Sequence, residues 1–282
     1  MYILTIDVED WYHLLNNRYF ANPKNWYDNE SRLLKNLEVI TTLLEKYNQN
    51  ASFFVLGWIA EKYPAIIKML TQMNFEIGSH SYLHQTTKLL DKTSFFADTE
   101  KSIKTIEDIS GKKIDSYRMP AFSIDNTNKW VFDVLSDLGI KYDSSLTVIN
   151  RRNKDIHPYK IKTQNGNLIK ELPVSTFKYL YMNFNSGSGY FRIIPLKKII
   201  KSLESRNYTL LYFHPRDFDP QTPISFKVGL LQNFKNQMGL KNSTKKFEKV
   251  LSTFQFTGIQ NASLKIDWEN TEDLVFKKRM KY

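Results

Sequence analysis

Apolar and polar positions alternate with two different periods over the first half of the chain. Residues 2–6 form a short apolar run that breaks on the acids Asp7, Glu9 and Asp10, which predicts a strand ending at a charged cluster. From 31 to 47, Leu33, Leu34, Leu37, Ile40, Leu43 and Leu44 recur at helical spacing. Residues 51–56 read as a buried strand, followed by a helix over about 58–73 in which Pro64 marks a turn or kink. Strands are then expected at 75–78, 116–119 and 140–142. Helices over 91–109 and 126–138 separate them, the second stopped by Gly139. Residues 144–192 are less regular, with strand pairs around an Asn165-Gly166 turn and a Gly-rich stretch over 185–189. A helix around 195–206 leads into a strand at 208–213 that ends at His214-Pro215, and one more helix is expected over 243–254.

Strand–helix alternation of this kind calls for an α/β fold with a parallel sheet or barrel. In such folds chemistry is assembled at the carboxyl ends of the strands. The N-terminal acids, the pair His80 and His84, the Arg118-Met119-Pro120 run and His214 all fall at predicted strand ends. No repeat or low-complexity linker interrupts the chain. Residues 1–282 therefore read as a single domain, with a core over 1–220, a peripheral insertion and a C-terminal extension over 221–282.

Composition narrows the chemistry. The chain has 282 residues, of which 41% are hydrophobic, enough for a large core. It has no cysteine, so thiolate catalysis, disulfides and thiolate metal sites are excluded, and any metal must use His, Asp or Glu. The first residues carry no basic segment followed by a long apolar one, and no run is long enough to cross a bilayer, so a cytoplasmic location is expected. The net charge is +11, yet no zinc-finger, homeodomain-like or RNP pattern accompanies it, and nucleic acid is not an expected partner. The excess reads first as a solvated lysine-rich surface. Attraction to a phosphate-bearing substrate or an anionic membrane face is the sharper alternative, with the basic run at 277–281 as its candidate and peripheral association as its limit.

Two histidines four positions apart face one point when the backbone between them is helical or turn-like. With a carboxylate they make an open three-ligand site suited to metal-assisted hydrolysis. Strand alternation puts Asp7 and Glu9 on one side and favours Glu9 as that carboxylate, while Asp10 stays open as an alternative. Another of these acids can serve as the base. Arg118 has a surface ion pair as its plain reading and the orientation of Asp7 as its functional one. His214 is either a satisfied buried histidine or a second imidazole able to protonate a leaving amine. His13 and His157 carry no comparable support. The aromatics Trp11, Tyr12, Phe122, Tyr190 and Phe191 are candidates for stacking on sugar rings, although most aromatics in such a chain are core.

Taken together and in order, these motifs resemble the polysaccharide deacetylase family, also known as the NodB-homology or carbohydrate esterase family 4 group. The resemblance rests on Thr5-Ile6-Asp7-Val8-Glu9-Asp10, on His80 to His84, on Arg118, Pro120 and Phe122, and on Leu211 to Pro215. It is closer to a branch associated with bacterial exopolysaccharide and surface-glycan loci, through DVEDWYH at 7–13, ASFFVLGW at 51–58, GSGYFRIIP at 187–195 and FHPRDFDP at 213–220. It implies a distorted (β/α) barrel of seven strands and one divalent metal, zinc first, with cobalt, nickel, manganese or iron as alternatives. Asp7 would be the general base, His80 and His84 metal ligands with Glu9 or Asp10, Arg118 the orienter of the base and His214 the general acid. Tyr82, Pro120, Phe122 and Tyr190 would meet substrate, with a backbone N–H near Tyr82 facing the oxyanion. The acid that orients His214 is left among Asp143, Glu171 and Asp217. The implied reaction removes an N-acetyl, or less often an O-acetyl, group from a sugar, expected here to be nucleotide- or lipid-linked. Hydrolysis of another C–N bond (N-formyl, ureide or cyclic amide) and a non-catalytic glycan-binding module are the competing readings.

Overall fold

Strand β1 (Tyr2–Val8) lies at the heart of the sheet and sorts its side chains by alternation. Leu4, Ile6 and Val8 join the large apolar layer under the helices, whereas Ile3 packs with Leu210 and Tyr212 in a second cluster, and Thr5 and Asp7 reach Arg118. The computed structural model describes residues 1–15, 17–147 and 156–274. The basic run at 277–281 lies outside the described residues.

The elements follow in the order α1 (Leu33–Lys46), β2 (Ser52–Val55), α2 (Gly57–Lys62), α3 (Pro64–Gln72), β3 (Glu76–Ser79), α4 (Lys92–Ser110), β4 (Ser116–Tyr117), α5 (Trp130–Asp137) and β5 (Tyr142–Asp143). The single helix expected over 58–73 is two, because Pro64 opens a new helix at its first position, where a missing N–H costs nothing. Helix α4 starts on an Asp91–Ser94 capping box and stops at Gly111, which adopts the left-handed conformation (φ 65°). Helix α5 begins at Trp130 rather than 126, since Asp125 and Asn128 tie the preceding residues into a turn.

The second half adds the hairpin β6 (Tyr159–Lys162) and β7 (Leu168–Glu171), the hairpin β8 (Thr176–Tyr179) and β9 (Met182–Asn185), then α6 (Ser188–Ile193), α7 (Leu196–Glu204) and β10 (Thr209–Phe213). It ends with α8 (Leu230–Gln237), α9 (Leu240–Leu251), β11 (Phe256–Thr257) and α10 (Ile259–Ser263). The main sheet runs β10-β1-β2-β3-β4-β5-β7-β6. All neighbours are parallel except β6 and β7, so seven parallel strands curl into an α/β half-barrel, as the sequence predicted. Among the described residues no full ladder forms between β7 and β10. Isolated hydrogen bonds (Ser175 N to Leu210 O, Tyr212 N to Ser186 O) span the gap and distort the barrel.

Residues 256–263 belong to the stretch expected as an extension, yet they enter the barrel. Strand β11 pairs with Tyr2 and Ile3 of β1, and Ile259 and Ala262 of α10 pack on Ile3 and Leu210. Buried Glu76 holds this helix by accepting from Gln260 N, Asn261 N and Ser52 Oγ. Each large apolar side chain buried in these layers contributes about 1.5–3 kcal/mol.

Register places the chemistry. Val8, Val55, Ser79, Tyr117, Asp143 and Glu171 are paired in one row across β1, β2, β3, β4, β5 and β7. One residue further along each chain come Glu9, Leu56, His80, Arg118, Ser144 and Leu172. Ile6 pairs with Phe213, so Asp7 and His214 form the next level on the other edge of β1.

Candidate active site

Asp7 and Arg118 form the floor of the site. The Arg118 guanidinium is fully buried and its donors are committed: Nη1 to Asp7 Oδ1 (2.8 Å) and Thr5 Oγ1 (2.7 Å), Nε to Ser144 O (2.9 Å), Nη2 to Ser144 Oγ (2.6 Å). It lies over the Phe54 ring at 4.5 Å. A surface ion pair is thereby replaced by a rigid buried fork that fixes one oxygen of Asp7.

Above this floor sit Glu9, His80 and His84, all buried, with Glu9 Oε1 at 3.1 Å from His80 Nε2 and 2.9 Å from His84 Nε2. His80 Nδ1 donates to the carbonyl oxygen of Arg118 at 2.7 Å, which turns Nε2 toward Glu9. The segment between the histidines is not helical. Ser81 (φ 67°) and His84 (φ 54°) adopt left-handed backbone, and the Ser81 hydroxyl accepts the His84 N–H, folding His84 back beside His80. Ala121 and Phe122 also have positive φ, so strained backbone gathers around the site.

Electrostatics suit a cation. Burial alone would raise the Glu9 pKa, but His84, His214 and Arg216, with the His80 hydrogen bond, hold it well below the ordinary carboxylate range. Burial opposes the charged form of His80, yet Asp7 and Glu9 outweigh it and raise that pKa. At His84 burial prevails and the pKa is lowered, which favours a neutral imidazole. His84 Nε2 is buried and makes no well-directed hydrogen bond despite its closeness to Glu9. An orphaned imidazole nitrogen, a second one turned inward by its carbonyl partner and an ionised carboxylate oxygen, all within 4.8 Å of one another, fit a divalent cation.

Asp10, the alternative ligand, does not join them. Its carboxylate accepts from Trp11 N (2.8 Å), Ser31 Oγ (2.6 Å) and Arg32 N (3.1 Å), so it pins the approach to α1. The strand ends at Val8, the alternation lapses, and Asp10 turns away from the cluster.

His214 completes the group from β10, with Nε2 at 3.7 Å from Glu9 Oε1. Its orienting acid is Asp217: Oδ2 accepts the His214 backbone N–H at 2.9 Å and lies 3.3 Å from Nδ1. Burial pushes Asp217 up, but His214 and Arg192 outweigh it and bring its pKa down to about 2. Asp143 and Glu171 stand elsewhere, holding Ser145 and Leu146 at the end of β5. Ser188 Oγ lies 3.0 Å from His214 Nδ1. Gly187 lets the chain approach so closely that a Cβ there would meet Tyr212 O at 1.8 Å.

Of the expected substrate contacts, Tyr82 is placed elsewhere. Its hydroxyl donates to Glu61, its ring carries Lys101 Nζ at 3.7 Å, and its N–H donates to Asp98 Oδ2 at 2.8 Å, so it supplies no oxyanion donor. Phe122 packs edge-on against Tyr212, beside Arg118, with Pro120 buried before it. Tyr190 is partly exposed and stacks on Phe184 at 4.8 Å. Trp11, Tyr12 and Phe191 are core. Two neighbours were given no role in the sequence reading, although both lie in motifs quoted for the resemblance: Arg216, whose Nη1 lies 3.3 Å from Glu9 Oε2, and buried His13, whose Nδ1 accepts from Asp10 N. His13 closes the DVEDWYH motif and Arg216 lies within FHPRDFDP, and those motifs are the signal that could have flagged them.

Comparison with known proteins matches two stretches of the chain. Residues 27–142 match the family described as Polysaccharide deacetylase, and residues 144–263 match Domain of unknown function (DUF3473). The chain is 28% identical over 120 residues to a peptidoglycan deacetylase of Helicobacter pylori, covering 43% of this chain and 38% of that protein. It is 30% identical over 88 residues to a peptidoglycan-N-acetylglucosamine deacetylase of Bacillus cereus, covering 31% and 32%. The chain thus spans less than half the length of these curated relatives. A Mycobacterium smegmatis crystal structure, provisionally assigned to the polysaccharide deacetylases, shares the fold with a TM-score of 0.70 at 17% identity, over 99% of this chain and 94% of that one. His80, His84 and Arg118 lie in the first matched stretch, His214 in the second, and β1 brings Asp7 and Glu9 to meet both. On sequence match, residues 27–142 carry a polysaccharide deacetylase domain, followed over 144–263 by the domain of unknown function, and the fold is that of the Mycobacterium smegmatis structure.

Proposed function

We propose that this chain is a metal-dependent carbohydrate deacetylase that removes an N-acetyl group from a sugar in bacterial surface-glycan biosynthesis. One observation carries the reading: Asp7, Glu9 and His214 present ligand atoms within 4.8 Å of one another, on the same carboxylate that meets His80 and His84. A base and an acid therefore flank one candidate cation site. A divalent cation held by Glu9, His80 and His84, zinc by the chemistry of the donors, would supply Lewis-acid polarisation of an acyl carbonyl and of water.

The protein's own groups do the rest. Arg118 fixes one oxygen of Asp7, and the other accepts the proton released by the attacking water. Asp217 and Ser188 hold His214 by Nδ1, so Nε2 faces the cluster and delivers a proton to the leaving sugar nitrogen. The net charge of +11 supports a phosphate-bearing substrate, a nucleotide- or lipid-linked acetylated sugar. The test is acetate release from N-acetylglucosamine oligomers and from nucleotide- and lipid-linked N-acetyl sugars, with Asp7→Asn as the control. Formate or ammonia in place of acetate would move the reading to another C–N bond. Absence of any turnover by metal-loaded protein would leave a glycan-binding module.

A further inference from the structure

Helix α8 is amphipathic in the wrong sense for folding. Its buried residue is Asn233, whose amide donates to Ser225 O (2.9 Å) and Val228 O (2.8 Å), while Leu230 (89% exposed), Leu231 and Phe234 face solvent. Ile224 and fully exposed Phe226 extend the apolar surface along the preceding loop. Polar bonds hold the segment firmly from behind: Gln237 to Thr222 O, Arg192 to Asn236 O and Asn17 to Lys227 O. A contiguous apolar face of this kind on a monomer marks an interaction site.

Charge selects the occupant. Residues 220–247 contain no acid, and Lys227, Lys235, Lys241 and Lys245 are their outward-facing bases, whereas Lys246 turns inward and donates to Phe191 O, Arg192 O and Ile194 O. A second copy docked through this face about a two-fold axis would set lysines against lysines with no carboxylate between them. An anionic lipid surface takes both features, the aromatic and aliphatic side chains entering the acyl boundary and the lysines meeting headgroups. Among the described residues no helix is long and apolar enough to cross a membrane, so the contact is interfacial. Arg192 links the segment to the site, donating to Asn236 O while its Nε lies 3.5 Å from Asp217 Oδ1, and Asn17 joins it to the loop after the N-terminal acids. The site's rim and the apolar face are therefore neighbours.

We propose that the loop at 224–229 and helix α8 form a docking surface for an anionic lipid bilayer. This goes beyond the reading of the site and stands whether or not the site deacetylates a sugar.

The experiment is flotation of the full chain with phosphatidylcholine vesicles and with vesicles rich in phosphatidylglycerol. Wild-type protein is expected to float with the anionic vesicles only. Phe226→Ser combined with Leu230→Ser and Phe234→Ser is expected to cut that binding by at least about tenfold. Neutralising Lys227 or Lys235 to Gln should cost roughly fivefold each. Phe226→Ser alone, at a position with no packing to lose, provides a variant whose folding is not at stake. The proposal is overturned if wild-type protein stays soluble with anionic vesicles, or if the apolar variants float as well as wild type. It is equally overturned if the face proves to close a concentration-dependent dimer that excludes vesicles.

Discussion

The carbonyl oxygen of Arg118 accepts the Nδ1 hydrogen of His80 at 2.7 Å, while the guanidinium of the same residue grips Asp7 at 2.8 Å. One residue thus orients the candidate base and sets the tautomer of a candidate ligand. Replacing it by Met leaves a carboxylate buried without its partner. Arg118→Met is expected to lose about 3–5 kcal/mol of stability in denaturant unfolding. A loss below about 1 kcal/mol would mean that the network is dispensable.

Asp7→Asn keeps the shape and an acceptor for Arg118 but removes the base. Turnover should fall by about 10²–10⁴-fold, with metal content and melting behaviour near wild type. Near-normal turnover in a correctly folded variant would remove Asp7 from its assigned role.

Glu9 and Asp10 are adjacent in sequence and should behave oppositely. Glu9→Gln is expected to lose bound metal on dialysis against a weak chelator, with little change in folding. Asp10→Asn should keep the metal and instead lose about 1–3 kcal/mol of stability, because it weakens the bonds to Trp11, Ser31 and Arg32. The reverse pattern, read by elemental analysis and denaturant titration, would exchange the two roles.

These contrasts show where sequence reasoning reached and where it stopped. Short apolar runs found β1, β2 and β3 because these strands are buried on both faces, helical spacing found α1 because it buries one, and order along the chain brought Asp7, His80, Arg118 and His214 to strand ends. Alternation favoured Glu9 over Asp10 without deciding it, since the decision depends on the strand ending at Val8. The histidine spacing allowed a helical or a turn-like backbone, and the convergence comes from the second, through left-handed backbone at Ser81 and His84. That same bend sends Tyr82 toward α2 and α4, which no local pattern announces. Asp217 stood among three acids, and the turn after β10, in which its carboxylate caps His214 N, separates it from Asp143 and Glu171.

Asp217 also gives the protein an acid-sensitive element. Its carboxyl titrates at 3.8 in the unfolded chain and at about 2 in the folded one, a depression produced mainly by His214 and Arg192 against the opposing effect of burial. A depressed folded pKa contributes stability that is complete above the unfolded value and disappears as pH falls through the folded one. The contribution, about 2 kcal/mol, is present above pH 3.8 and lost on acidification toward pH 2. Asp217→Asn should lack this component in pH-dependent unfolding, and its activity should drop through kcat rather than KM, since it positions His214. Identical stability curves for variant and wild type across that interval would contradict the assignment.

The central claim is that Glu9, His80 and His84 hold one divalent cation between Asp7 and His214. Anomalous diffraction at the zinc edge, on crystals grown with zinc, tests it most directly. The account predicts a single strong peak bounded by the Glu9 carboxylate and the two Nε2 atoms, with Asp10 uninvolved. A peak held by Asp10, or no peak among these three side chains, would contradict it.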